Sequence, residues 1–309
     1  MLLKKNVPFS YVFGKIKMEM IFLTIYSTAV YAAHSYFKLQ GISIPLAIPG
    51  ILGTIISLLL AFRSNQAYDR WWEARTLWGA IVNDSRSFAR QVLSFIDNAY
   101  GDADKQQLKE RMIKRQMAWC HALSHHLRGQ NAQQGLGKYL SDDEYRALNG
   151  IKHVPVALME SHADDLRIAM RMNWINEYQQ VALDETLTRF SNAMGGCERI
   201  KNTVFPVTYS FYIHVLVLLF VILMPFGLTE FFGIFQIPLV VAISSSLFLI
   251  EKMAIHLQDP FENKPTDTPT TTISRNIERD LNQMLKNETS TEADKTSTVA
   301  GTNAVFYVL

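Results

Sequence analysis

The chain has 309 residues, a mean hydropathy of +0.05, 49% hydrophobic and 19% charged residues, and a formal net charge of +2. So balanced a charge gives no sign of a nucleic-acid partner, and the bunching of the apolar residues excludes a soluble globular protein, a secreted disulfide scaffold and a disordered chain. Four charge-free runs carry that bunching: Met20–Phe37 (18 residues), Leu39–Phe62 (24), Asn202–Thr229 (28) and Phe231–Ile250 (20). A helix needs about 20 apolar residues to cross the hydrocarbon core of a bilayer, so the runs predict four spans in two hairpins.

The positive charges orient those spans. Of 30 Lys and Arg, 4 precede the first run, 19 lie from Arg63 to Lys201, 6 follow the fourth run, and Lys38 alone falls between paired runs. Basic residues stay on the cytoplasmic side, so both termini and the 63–201 region are expected inside a cell inner (plasma) membrane, with tips near Gln40 and Glu230 outside. The expected layout is a cytosolic segment at 1–19, a membrane hairpin at 20–62, a helical cytosolic domain at 63–201 and a second hairpin at 202–257. A cytosolic segment packing on neighbouring copies follows at 258–287, with a polar, flexible tail at 288–309. The apolar start lacks a small-residue cleavage site and does not read as a removable signal peptide. Cys120 and Cys197 fall on the reducing side, so no disulfide is expected.

In chain order, the second span has no Gly or Pro from Thr54 until Gly79, and its helical pattern runs from Ile51 to about Ile96. Asn98–Asp104 reads as a turn and Lys105–Arg128 as an amphipathic helix stopped by Gly129. Ser141 and Glu144 have capping-box spacing. Asn149–Pro155 is a loop, and helices are predicted at Val156–Met172 and Glu177–Ile200, the latter capped by Asn176. The three prolines of Asp259–Thr270 forbid regular helix, and a short helix is expected at about Ile273–Leu285. Pro45, Pro49 and Pro238 sit where spans begin, not where they would break them. Neither an internal repeat nor a convincing β alternation is present.

Few motifs carry chemistry. The cluster Cys120, His121, His125 and His126 is the nearest thing to a metal site, and His121 and His125, four apart, share a helix face as two zinc ligands would, but no HExxH glutamate is present and ordinary surface or packing histidines are the favoured reading. The chain has no GxGxxG, P-loop, GxSxG or CxxC, and its carboxylates stand singly or at helix starts, so an enzyme reading has no anchor and no cofactor or metal is expected. His34 and His214 lie inside spans, where hydrogen-bonded packing is favoured over a role in conduction or pH response. Trp71, Trp72 and Trp78 fit an interfacial belt or helix packing. Thr54, Leu58 and Phe62 recur every four residues along the second span, and the same stripe turns polar at Gln66 and Arg70. That stripe either packs on another span or, if several copies surround an axis, forms stacked apolar rings of the kind that gate ions by drying and wetting.

Three segments resemble the bestrophin family, its bacterial members in particular: Leu60–Val92, with seven residues between Phe62 and Arg70-Trp71-Trp72; Gly195–His214, containing Cys197-Glu198-Arg199-Ile200; and Asp259–Asp267, reading DPFENKPTD. With the two hairpins, the resemblance covers the chain to about residue 287. It implies an all-α membrane protein forming a homopentameric channel for small inorganic ions, the second helix lining the pore. Carried over by motif, the neck falls at Thr54, Leu58 and Phe62 and a narrow cytosolic aperture at Tyr178; Thr54 departs from the family's apolar residue and Tyr178 from its common isoleucine. Asp69, Arg70, Glu73 and Glu177 are candidate lumen charges. Animal members follow the Asp-Pro-Phe motif with an acidic calcium clasp. Here Glu262, Asn263, Lys264, Pro265, Thr266 and Asp267 follow, too few carboxylates for a calcium ion that takes six to eight oxygens. Branch resemblance leans toward monovalent cations over chloride, while 19 basic and 17 acidic residues in 63–201 set no sign. The rival readings are a membrane-anchored scaffold or sensor whose cytosolic helices bind a protein partner, and a transporter, which usually carries repeated halves.

Overall fold

The computed structural model describes residues 13–37, 44–97, 102–203 and 205–285. The expected tip near Gln40, most of the turn at 98–104 and the tail at 288–309 lie outside the described residues. Every regular element among them is helical: α1 (Lys17–Phe37), α2 (Ala47–Phe95), α3 (Ala103–Leu127), α4 (Asp142–Ala147), α5 (Val154–Arg171), α6 (Glu177–Asn202), α7 (Val207–Phe232), α8 (Gln236–Gln258) and α9 (Thr270–Met284). The all-α expectation is met.

The chain divides into two compact units, one of Leu2–Trp71 with Val204–Asp259, the other mainly of Trp72–Thr203 with the chain from Pro260 onward. In the first, α1 packs on α7 and α8, which pack on each other. Ile56, Leu60, Phe220, Val221 and Val240 are among its buried side chains. Gly53 permits a close approach, since a Cβ there would stand 3.0 Å from the Phe220 ring. Helix α7 is uninterrupted through Pro225, a proline the sequence reading passed over. A Gly233–Phe235 3-10 turn then reverses the chain, with Gly233 at φ +52°, a left-handed conformation that glycine adopts without a Cβ clash. Pro49 and Pro238 occupy first turns, where the missing N–H has no helical acceptor to lose.

The second unit is built around α3, which packs on α5, α6 and α9. Trp78, Phe88, Trp119 and Phe190 form its aromatic centre, with Phe88 edge-on to Phe190 at 6.1 Å between centroids and Trp119 at 5.2 Å from the same ring. Trp78 is therefore core, while Trp72 is exposed. Both expected caps form. Ser141 and Glu144 close a capping box, and Asn176 accepts from Gln179 N while Gln179 reaches back to Asn176 N. Helix α5 starts two residues ahead of expectation because Pro155 suits the first turn and the His153 imidazole caps it. Cys120 and Cys197 are buried free thiols, both pushed up to about 12 by burial and so held protonated.

Also in this core, His162 is fully buried against Phe88, and neither ring nitrogen has a hydrogen-bond partner. Burial, with the nearby Arg115 charge, holds it well below its ordinary 6.5. Below about 6.5 the unfolded chain takes a proton that the folded chain refuses, so stability is full above that pH and falls beneath it, by at most ~1.4 kcal/mol per pH unit. His162→Leu should flatten this slope between about pH 6.5 and 5, read as hydrogen-exchange protection of α5. An unchanged slope would show that His162 does not set it.

Candidate functional site

Helix α2 has two faces within the first unit. Ile56, Leu60, Arg63 and Ala67 point into the chain's own packing and are at most 2% exposed. Thr54, Leu58 and Phe62 lie on the opposite face, with Leu58 73% and Phe62 56% exposed. The structure thus aligns the three neck candidates and leaves them uncovered by their own chain. Phe62 keeps one neighbour, the Tyr209 ring, edge-on at 6.2 Å. The Thr54 hydroxyl donates to Gly50 O at 3.0 Å, so its proton is spent within the helix and the methyl adds to the apolar stripe.

The candidate charges separate into two kinds. Arg70 is engaged, its Nε donating to Gln258 O at 2.9 Å and its Nη2 lying 3.7 Å from Asp259. Glu73 pairs with Arg199. Asp69 and Glu177 are exposed. Tyr178 belongs to the second unit, one residue after Glu177 in the first turn of α6, and is 88% exposed. The capped N-terminus of α6 adds the positive end of a helix dipole beside it.

Sequence reading missed a buried ionic group in the first unit. Arg63 Nη1 lies 3.9 Å from Glu251 Oε1, and both side chains are at most 5% exposed. His214 Nδ1 stands 3.2 Å and 3.3 Å from the two Glu251 oxygens, and the Arg63 guanidinium sits over the Phe205 ring at 5.8 Å. Lys252 binds Glu19 Oε1 and Lys15 O, each at 2.5 Å. The signal was present: Glu19, Arg63 and Glu251 are the charges that bound three of the four apolar runs. His214 is accordingly a partnered histidine, as its favoured reading had it.

The other chemical candidates do not gather. His121 Nε2 contacts Glu278 at 3.0 Å and His125 Nδ1 contacts Gln130 at 2.9 Å, so the i, i+4 pair turns to separate partners. In the Asp259–Asp267 segment, Glu262 pairs with Lys264, and Asp267 Oδ2 accepts from Lys264 N at 3.0 Å.

Comparison with known proteins adds the wider context. Residues 6–283 match the family described as bacterial/fungal bestrophin protein. The voltage-dependent anion channel-forming protein alr2987 of Nostoc sp. is 33% identical over 270 residues, covering 84% of this chain and 87% of its own. The voltage-dependent anion channel-forming protein YneE of Salmonella typhi is 31% identical, covering 88% of each. A crystal structure of a bacterial bestrophin homologue from Klebsiella pneumoniae superposes with a TM-score of 0.81 at 24% identity, over 87% of this chain and 98% of that one, a likeness of fold.

Proposed function

Because this chain belongs to the bacterial and fungal bestrophin family, whose members are membrane ion channels and not enzymes, we propose that it forms a homopentamer whose α2 helices surround an ion pathway. Thr54, Leu58 and Phe62 form an apolar neck, and Tyr178 forms a second constriction on the cytosolic side. The carrying observation is the exposed stripe: Leu58 is 73% exposed in its own chain, which disfavours the reading that it packs on another span of the same molecule. Five copies around an axis give such side chains a common place, and a ring of them excludes water when narrow.

Four spans with both termini cytosolic remain the favoured topology in a cell inner membrane, with 20–62 and 202–257 in the bilayer. In support, Lys252 at the end of α8 pairs with Glu19 at the start of α1, and the adjacent Glu251 meets Arg63 of α2 and His214 of the first half of α7. Charges at the limits of apolar runs meet one another, as they would at one bilayer face where long side chains reach the interface.

Chloride-sized monovalent anions are the favoured cargo, since relatives at 31% and 33% identity are named anion channel-forming proteins. The cation preference expected from branch resemblance finds no support in those names. One feature keeps it as the second reading: exposed Asp69 and Glu177 present negative charge, while Arg70 and Glu73 are engaged. Reversal potentials in planar bilayers under a potassium chloride gradient test both. A potential near chloride equilibrium supports the first reading, and one near potassium equilibrium supports the second. In the latter case Asp69→Asn or Glu177→Gln should reduce the selectivity. Electrical silence under every gradient would favour the scaffold or sensor whose cytosolic helices bind a protein partner. Detergent-solubilised protein should have a mass near five times the 35.2 kDa chain; a stable monomer would sink the pore.

A further inference from the structure

Outside the ion pathway, the second unit brings together three side chains from three helices. His126 lies in the last turn of α3, His153 caps α5, and Glu198 stands near the end of α6. Glu198 Oε1 is 2.8 Å from His153 Nε2 and 3.7 Å from His126 Nε2, and the two imidazole centroids are 4.4 Å apart. One ligand atom from each residue falls within 4.8 Å of the other two.

The oxygen at the centre is the informative atom. Glu198 Oε1 is shielded from solvent and has no hydrogen-bond partner. At 2.8 Å the His153 ring lies near it without the alignment of a hydrogen bond. A buried carboxylate oxygen facing two imidazoles is therefore unsatisfied by the protein alone. A tetrahedral ion with bonds of about 2.1 Å needs ligand atoms about 3.4 Å apart, and the observed 2.8 Å and 3.7 Å bracket that spacing. Small rotations of side chains that are 24–37% exposed would bring them there and leave one coordination position to water. Binding through His153 Nε2 moves that ring's proton to Nδ1 and gives up only the long, 3.4 Å cap from Val156 N.

We propose that His126, His153 and Glu198 form a binding site for a zinc-class divalent transition metal, with water as the fourth ligand. Two imidazoles and one carboxylate suit zinc, and their partial exposure gives the ion a path in. Occupancy ties the C-terminal end of α3 and the N-terminal end of α5 to α6, the helix whose first turn carries Tyr178. The site is independent of which ion the channel passes.

The full chain in detergent, stripped with chelator and titrated with zinc chloride by calorimetry, should bind one zinc per chain. His126→Ala and Glu198→Gln should each weaken that binding at least about tenfold. His121→Ala, which removes a histidine bound to Glu278, should leave it unchanged. Zinc should also raise the melting temperature of the wild type and not of Glu198→Gln. His153→Gln provides a second test that keeps a capping side chain if the other variants fold poorly. The proposal is overturned by no zinc uptake in the wild type, by undiminished wild-type affinity in the three site variants, or by loss of binding in His121→Ala alone.

Discussion

Phe62→Ala and Leu58→Ala are expected to raise unitary current several-fold with little effect on assembly. Each variant removes five side chains at one level of the proposed neck, so a small change per chain widens and wets the whole ring. The cost to folding should be small. Truncating a buried Leu or Phe costs about 2–5 kcal/mol because a cavity remains, but Leu58 is 73% exposed and leaves no such cavity within its own chain. Phe62 loses its edge contact with Tyr209 and little else. Thr54→Ala should change current little, since the Thr54 proton already goes to Gly50 O. Thr54→Ile should lower it by enlarging the apolar ring. Single-channel recordings, paired with size-exclusion profiles, separate this from packing against another chain: an unstable, electrically unchanged Phe62→Ala would mean the stripe is an interface and the pore-lining face is wrong.

The helices were legible in the sequence for simple reasons. Long apolar runs, Ser141 with Glu144, and Asn176 ahead of Gln179 are local signals, and each acts within a few residues of where it is written. Helix starts were less legible: α2 begins at Ala47 and α5 at Val154 because prolines in first turns extend helices that a reader is inclined to end. The spacing of Thr54, Leu58 and Phe62 gave a common face, yet periodicity cannot say whether that face is covered; only the packing of Ile56 and Leu60 on the other side reveals which is which. Least legible were groups assembled across distance. Arg63 with Glu251 joins residues 188 apart, and Glu198 meets histidines from two other helices. Within the cluster of Cys120, His121, His125 and His126, the i, i+4 spacing singles out His121 and His125, whereas His126, one residue on, faces the converging ligands. Sequence neighbours on a helix point about 100° apart, so adjacency along the chain does not show which histidine meets ligands from other helices.

The largest stability effect is expected at Arg115, which is 3% exposed and central to an ionic network in the second unit. Its Nε donates to Glu144 Oε1 at 2.9 Å, and its Nη1 donates to Asp165 Oδ2 at 2.5 Å and Ser161 O at 3.0 Å. Asp165, equally buried, also accepts from Arg111 Nε at 3.2 Å. Arg115 thus joins α3 to α4 and α5 through one guanidinium. Arg115→Met removes all of these bonds and leaves Asp165 buried with a single partly exposed cation. Breaking a buried pair from one side costs about 3–5 kcal/mol, and hydrogen-exchange protection of α3 and α5 in detergent should fall accordingly. The double variant Arg115→Met/Asp165→Leu should be less damaged than Arg115→Met, because Glu144 and Arg111 are exposed enough to regain water while no buried charge is stranded. Acid dependence gives a further check. Burial pushes the Glu144 carboxyl up, but the Arg115 charge and the hydrogen bonds from Arg115 and Ser141 outweigh it and hold the group below its ordinary 4.5. Stability from that pairing is full above 4.5 and is lost as pH falls through the depressed value, so Arg115→Met should show a shallower acid limb than the wild type. A loss under about 1 kcal/mol in Arg115→Met, or a double variant weaker than the single one, would mean that apolar packing, not this network, holds α4 and α5 on α3.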